Sequence, residues 1–327
     1  MSNAVTLDLV PMNPARRVIV ESIAAACGFY LLGALVETLV ISWLQPTEWE
    51  LAWVSDFVLA VALGVAVFLW RHLLVTRHEL VQRERAEIVL ETQLSLAAEI
   101  QRRLLPPLPP RINGCDWAAA IRPAGKIGGD FYDFLETAPG RWVALIADVS
   151  GKGIPAAMAL GSLRSTFRAL AGQHLGPARL LAQLSTAFLR DWQARPYVTC
   201  IVASFDLTDH SLVYSNAGHP PGIVIGPTGT RYLARGGPPA GLLADATYEQ
   251  EHLTMHAGDM CLLVSDGVTE SLDGVSLEDG LDGSYGYRAT AASVCDSVIA
   301  KALAGRGPAG ATGWDDDRTV VVMMVHS

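Results

Sequence analysis

The sequence contains no C-x-x-C pair; Cys27, Cys115, Cys200, Cys261 and Cys295 lie scattered along 327 residues. Such spacing signals neither a zinc knuckle nor a disulfide framework and suits a reducing compartment. Positive charge is also scarce. With 24 Lys and Arg against 33 Asp and Glu, a formal net charge of -9, the chain lacks the basic surface that grips nucleic-acid phosphates, and no nucleic-acid partner is expected. Charge of either sign makes up only 17% of residues while half are hydrophobic, a balance that leans toward membrane association. The placement of the apolar residues decides that point.

From Val18 to Leu44 the chain is apolar apart mainly from Glu21 and Glu37, and from Leu51 to Trp70 apart from Asp56. A helix needs roughly 20 apolar residues to cross a bilayer. The intervening Gln45 to Glu50 reads as a short polar turn, so the simplest topology is a transmembrane hairpin over residues 18–70. Arg16 and Arg17 before it, and Arg71, His72 and Arg77 after it, place both ends in the cytoplasm. The run is too long for a cleaved signal peptide, and a second span follows it. Glu37 and Asp56 fall at similar depth in the outer leaflet, where they either meet or reach water.

Residues 71–105 have helix-forming composition, with Leu74, Val81 and Ile88 at sevenfold spacing and then Leu94, Ala98 and Leu105 in drifting phase. This pattern predicts either a two-stranded stalk, through which the chain forms a homodimer, or a single amphipathic helix lying on the following domain. Pro106, Pro107, Pro109 and Pro110 must end it. The organisation expected is therefore a cytoplasmic segment 1–17, a hairpin 18–70, a helical stalk 71–105, a proline-rich boundary 106–112 and a catalytic domain 113–327 on the cytoplasmic side.

Beyond residue 113, short apolar runs end in acids and glycines. Trp142 to Ala147 reads as a buried strand and leads into Asp148-Val149-Ser150-Gly151, while Met260 to Val264 leads into Ser265-Asp266-Gly267. In reverse order, Asp315-Asp316-Asp317-Arg318 precedes the apolar Thr319 to Val325, and Gly128-Gly129-Asp130 adds a further acid. Carboxylates at strand ends, without a His or Cys cluster, suit hard divalent cations such as Mg2+ or Mn2+. Two such ions about 3.5–4 Å apart orient a phosphoryl group and neutralise its leaving oxygen. Singly, each acid is equally a turn residue.

The segments GGDFYDF at 128–134, ADVSGKGIPAAM at 147–158, SNAGHPP at 215–221, LLVSDGVTE at 262–270 and DDRTVVVMM at 316–324 resemble, in order, the motifs of the type-2C metal-dependent protein phosphatases. The nearest branch is that of bacterial sporulation stage II protein E and sigma-B regulator U, over about residues 94–325. The resemblance implies an α+β fold, a two-sheet β-sandwich flanked by helices. Two Mn2+ or Mg2+ ions at one edge would activate the water that hydrolyses phosphoserine or phosphothreonine. It makes Asp148 the bridging ligand, with the Val149 carbonyl beside it. Asp130, Asp266 and Asp316 become further ligands, so these four aspartates carry catalysis by holding the metals. Asp317 occupies a position taken by Asn or Asp and stands as an alternative or supporting ligand; Asp133 and Asp315 have weaker claims, and Asp315 reads as a solvated turn acid.

Lys126 and Lys152 flank acidic motifs, where each either contacts substrate phosphate or balances carboxylates. No arginine matches the phosphate-gripping one of the eukaryotic relatives. His219 has the chemistry of an acid or ligand, but a structural place in a hairpin turn is favoured. The helices expected over Gly153 to Gly172 and Ala178 to Trp192 form, by resemblance, a switch coupled to the upstream linker. The resemblance also implies a phosphorylated STAS-domain anti-sigma-factor antagonist as substrate and a partner-switching pathway in a bacterium; with the hairpin read above, the expected location is the bacterial cytoplasmic membrane. The alternative is an inactive phosphoprotein-binding regulator of the same fold, against which the intact aspartates argue. A nucleotide cyclase, suggested by Gly128-Gly129-Asp130, gives no role to the later acidic motifs, and one hairpin is too little to enclose a transport path.

Overall fold

The computed structural model describes residues 27–34 except 29 and 32, 49–107, 114–272 except 152, 194 and 228, residue 277, 289–304 and 316–326. Two compact units divide at Leu90 and Glu91. In the first, helix α1 (Trp49–Leu104) carries a stretch long and apolar enough to cross a membrane. Phe57, Leu59, Val65, Leu69 and Trp70 are exposed along it. Tyr30 meets Phe57 edge to face with ring centroids 5.7 Å apart, and Gly33 lies against the Asp56 side chain. Most of the first apolar run, Glu37 included, lies outside the described residues.

In the second unit the last turns of α1 leave Leu94, Ala97, Ala98, Gln101, Leu104 and Leu105 half-buried, and Leu104 and Leu105 pack on the domain's apolar clusters. This unit therefore starts inside the expected stalk, and its helical end behaves as an amphipathic helix lying on the domain. The helix stops at Leu104, just before Pro106 and Pro107.

The chain then forms β1 (Cys115–Arg122), β2 (Asp130–Ala138) and β3 (Arg141–Val149), followed by helices α2 (Ile154–Ala171) and α3 (Pro177–Trp192). Strands β4 (Val198–Asp206), β5 (Ser211–Ala217), β6 (Gly222–Gly226), β7 (Gly229–Leu233), β8 (Gly236–Gly237), β9 (Glu251–Thr254) and β10 (Met260–Val264) come next. A single turn α4 (Asp266–Thr269) running into a 3-10 turn (Glu270–Leu272), helix α5 (Ala291–Ala304) and strand β11 (Arg318–Val325) follow. One sheet has the order β1-β11-β10-β6-β7; the other has β2-β3-β4-β5-β8, with β9 on β5. Side chains alternate across a strand. Trp142, Ala144 and Ile146 of β3 enter the core between the sheets, where Trp117 meets Phe134 and Phe205 edge to face, while Val143, Leu145 and Ala147 enter the outer layer beneath α2 and α3.

Helix α2 buries Ala156, Ala159, Leu160, Leu163 and Phe167, a stripe at helical spacing, and α3 buries Leu180, Leu181, Leu184 and Phe188. Both helices begin with proline in the first turn, where its missing N–H costs nothing. Helix α5 covers the other sheet with Val294, Cys295, Val298 and Ile299. The result is the expected two-sheet sandwich flanked by helices. All five cysteines are free.

Candidate metal centre

Alternation also decides where the acids go. On β2, Tyr132 and Phe134 enter the inter-sheet core, so Asp130 projects to that side at the strand's first position. On β3 the same parity brings Asp148 in, and Asp130 and Asp148 are directly opposed partners. From the facing sheet Ser265 follows β10 and Thr319 is the second residue of β11, both on the inner parity. Thr319 Oγ1 donates to Asp130 Oδ2 at 2.6 Å, and Ser265 Oγ donates to the Asp317 carbonyl at 3.1 Å. The Asp130 carboxyl is 1% exposed, and burial first, then Asp148 and Asp317, raises its pKa well above the usual carboxylate range, against the hydroxyls of Thr319 and Ser265.

Asp266 and Asp316 form a second pair. Burial and then the Asp316 charge raise the Asp266 pKa, while the Gly267 N–H, 2.8 Å away, opposes them. Gly267 has no room for a side chain, since a Cβ there would sit 2.2 Å from the Asp317 carbonyl oxygen. A cleft of about 270 Å³ is lined by Asp148, Asp316, Asp317, Gly129, Gly151 and the loop residues Ala124, Gly125 and Ile127. The Val149 carbonyl and Asp148 Oδ1 both face Gly129, 2.7 and 2.8 Å from where its Cβ would stand.

The donor set is all oxygen, and its most buried member is a carboxylate surrounded by hydroxyls and other carboxylates. That arrangement fits a hard divalent cation, which neutralises such a group without sulfur or imidazole. Among the described residues the acids come in pairs, and no three His, Cys, Asp or Glu side chains close on a common point. Carboxylate pairs with water completing the shell are how Mg2+ is commonly held.

The remaining expected residues separate clearly. Asp317 accepts the Ala124 N–H at 2.7 Å on Oδ1 and the Gly129 N–H at 2.5 Å on Oδ2, so it organises the loop that walls the cleft. Asp133, three residues from Asp130 and hence on the opposite face of β2, is fully buried and receives Arg168 of α2 through two bonds of 2.6 and 2.7 Å. Lys126 reaches Glu91 at 2.7 Å and Ser95 at 3.2 Å, both on α1, and does not line the cleft. Lys152 and Asp315 lie outside the described residues. Sequence reasoning missed Ser265, Thr319, Arg168 and Gln101; for the two hydroxyls, inner parity beside a motif aspartate is the readable signal.

His219 is buried, its Nδ1 2.9 Å from Thr199 Oγ1, and Thr199 pairs with Asp148 across β3 and β4. Its backbone is locked by Asn216, which accepts the His219 N–H at 2.8 Å and donates to the His219 carbonyl at 2.9 Å. Burial pushes the imidazole down to about 4, against a weaker pull from the Val264 backbone. This is the favoured structural place. An unfolded histidine takes its proton near pH 6.5 and the folded one only near 4, so the unfolded state binds more protons between these values. Stability is therefore expected to fall as pH drops from 6.5 to 4, by about 2–3 kcal/mol from this group. Urea unfolding across that range checks it: His219→Asn flattens this part of the slope, and an unchanged slope rejects the assignment.

Comparison with known proteins places these features in a family. Residues 138–326 match stage II sporulation protein E (SpoIIE), a span that includes Asp148, Asp266 and Asp316. The chain is 29% identical over 217 residues to phosphoserine phosphatase RsbU of Bacillus subtilis, covering 66% of this chain and 62% of that one. Among solved structures, the RsbU and RsbW domains of Rv1364c from Mycobacterium tuberculosis are 26% identical with TM-score 0.55, covering 65% of this chain and 60% of theirs. The SiaA-PP2C domain of Pseudomonas aeruginosa shares the fold, with TM-score 0.59 at 18% identity over 73% of this chain and 98% of its own. With a family match across more than half its length and the sandwich and acids described above, the chain belongs to the SpoIIE family.

Proposed function

We propose that this chain is a membrane-anchored, metal-dependent protein serine/threonine phosphatase whose catalytic domain faces the cytoplasm. The observation that carries the reading is the opposed pair of buried Asp130 and half-buried Asp148 at the inter-sheet end, Asp148 lining an acidic cleft. Sequence similarity to a phosphoserine phosphatase supports the substrate chemistry. Asp130, Asp148, Asp266, Asp316 and the Val149 carbonyl would hold two Mn2+ or Mg2+ ions. When bound, such ions supply Lewis acidity and lower the pKa of a coordinated water. The chain's own part is orientation: Thr319 fixes the Asp130 carboxyl, Ser265 ties the Asp317 carbonyl to the Thr319 N–H, and Asp317 holds the loop that walls the cleft.

The apolar stretch of α1 supports anchoring, with two spans and a cytoplasmic catalytic domain as the topology we favour from the charges around residues 18–70. The substrate we favour is a phosphorylated STAS-domain anti-sigma-factor antagonist in a partner-switching pathway, with pairing through the helical stalk as the oligomeric form. The test is phosphate release by the full chain in detergent with Mn2+, from phosphoserine and phosphothreonine peptides and from a phosphorylated STAS protein. Turnover of the protein ahead of the peptides is expected. Binding without release would make the chain an inactive phosphoprotein-binding regulator.

A further inference from the structure

We infer that Gln101, in the last turn of α1, is a positioning residue for the carboxylate site, acting through the loop between β1 and β2. Its amide makes both bonds available to Gly128: Nε2 donates to the Gly128 carbonyl at 2.7 Å, and Oε1 accepts the Gly128 N–H at 3.2 Å. The next residue, Gly129, donates its N–H to Asp317 and accepts the Val149 N–H at 3.0 Å. The one after that is Asp130. Three successive residues are thus tied to α1, to Asp317 just ahead of β11, and to the opposed acid pair.

The need for an outside tie follows from the two glycines. Gly128 cannot carry a side chain, because a Cβ would stand 2.5 Å from Asp317 Oδ2, and Gly129 is closed off by the Val149 carbonyl. A Gly-Gly segment loses the most backbone freedom on ordering and brings no side chains to hold itself. Gln101 supplies that hold from another element. Ten residues earlier on the same helix, Glu91 engages Lys126, so α1 grips the loop at two points. Groups that orient metal-binding carboxylates from behind commonly change metal affinity by 10–100-fold when removed.

This inference rests on the phosphatase reading, and its test separates the two. The full chain in detergent is compared with Gln101→Leu, of similar size without hydrogen bonds, and Gln101→Glu, which keeps only the acceptor. Amide hydrogen exchange is measured without metal, Mn2+ affinity by calorimetry, and phosphoserine-peptide kinetics over Mn2+ concentration. Gln101→Leu is expected to speed exchange within residues 123–130 alone and to weaken Mn2+ binding about tenfold, while kcat at saturating Mn2+ stays within about twofold. Gln101→Glu shows the same change in smaller degree. Equal exchange and equal Mn2+ affinity in wild type and variants overturn the inference alone, as does faster exchange across the whole domain, which marks a general structural role. A wild-type chain that binds no Mn2+ overturns the phosphatase reading and this inference with it.

Discussion

Asp148→Asn is expected to leave the domain folded and to lower phosphate release at saturating Mn2+ by at least about a thousandfold, roughly 4 kcal/mol of transition-state stabilisation. Asp148 both faces Asp130 across the β2–β3 ladder and lines the cleft, so it is the acid through which the buried group and the open space communicate. The amide keeps the shape but removes the anionic donor that a divalent cation requires. Without metal, the variant is expected to be at least as stable as wild type, because it removes a like charge from beside buried Asp130. With metal the order reverses. Wild type gains stability by binding Mn2+ in the folded state only, and the variant loses most of that gain. Thermal unfolding with and without chelator, run beside the kinetics, reads both effects; a variant that keeps its Mn2+-dependent shift and its activity would remove Asp148 from the mechanism.

Arg168→Ala is expected to destabilise the domain by about 3–5 kcal/mol. Asp133 is fully buried, and Arg168 supplies its two short ion-pair bonds, with Arg164 only at 3.9 Å. Deleting the guanidinium leaves a carboxylate that water cannot reach. Asp133→Ala is expected to cost less, since the Arg168 side chain is 34% exposed and its charge regains solvent. Replacing both by apolar residues of similar volume is expected to recover most of the loss, as is common for buried pairs. Urea midpoints of the three variants provide the check. An equal, small loss in all three would show that the pair contributes little. Because Arg168 lies on α2 and Asp133 on β2, this pair also fixes the helix against the strand that begins at Asp130.

Much of this architecture is legible from the residues. The apolar runs ending in Asp148 and Asp266 and the run opening after Asp317 fall on β3, β10 and β11 as their continuous burial demands. Asp133 could have been separated from Asp130 by counting: an odd spacing of three on a strand reverses the face. Gln101 too left a trace. It occupies the polar position in the series Leu94, Ala98, Gln101 and Leu105, a helical stripe otherwise apolar and facing the domain. What local pattern does not contain is pairing. Strand β1 lies beside β11, with Cys115 opposite Val325, and nothing in either segment names a partner some 200 residues away.

That pairing bears on how the protein is made. Strand β11 is translated after every other described element, yet it sits inside its sheet, between β1 and β10; from it Thr319 reaches Asp130, and Asp316 and Asp317, which lead into it, line the cleft. Contacts this distant along the chain form late, after the entropy of closing a long loop has been met. Until β11 is in place, β1 and β10 have a gap between them and Asp130 lacks the Thr319 hydroxyl that orients it. The acid-lined cleft is thus incomplete until β11 has joined its sheet, whatever the rest of the chain has already formed.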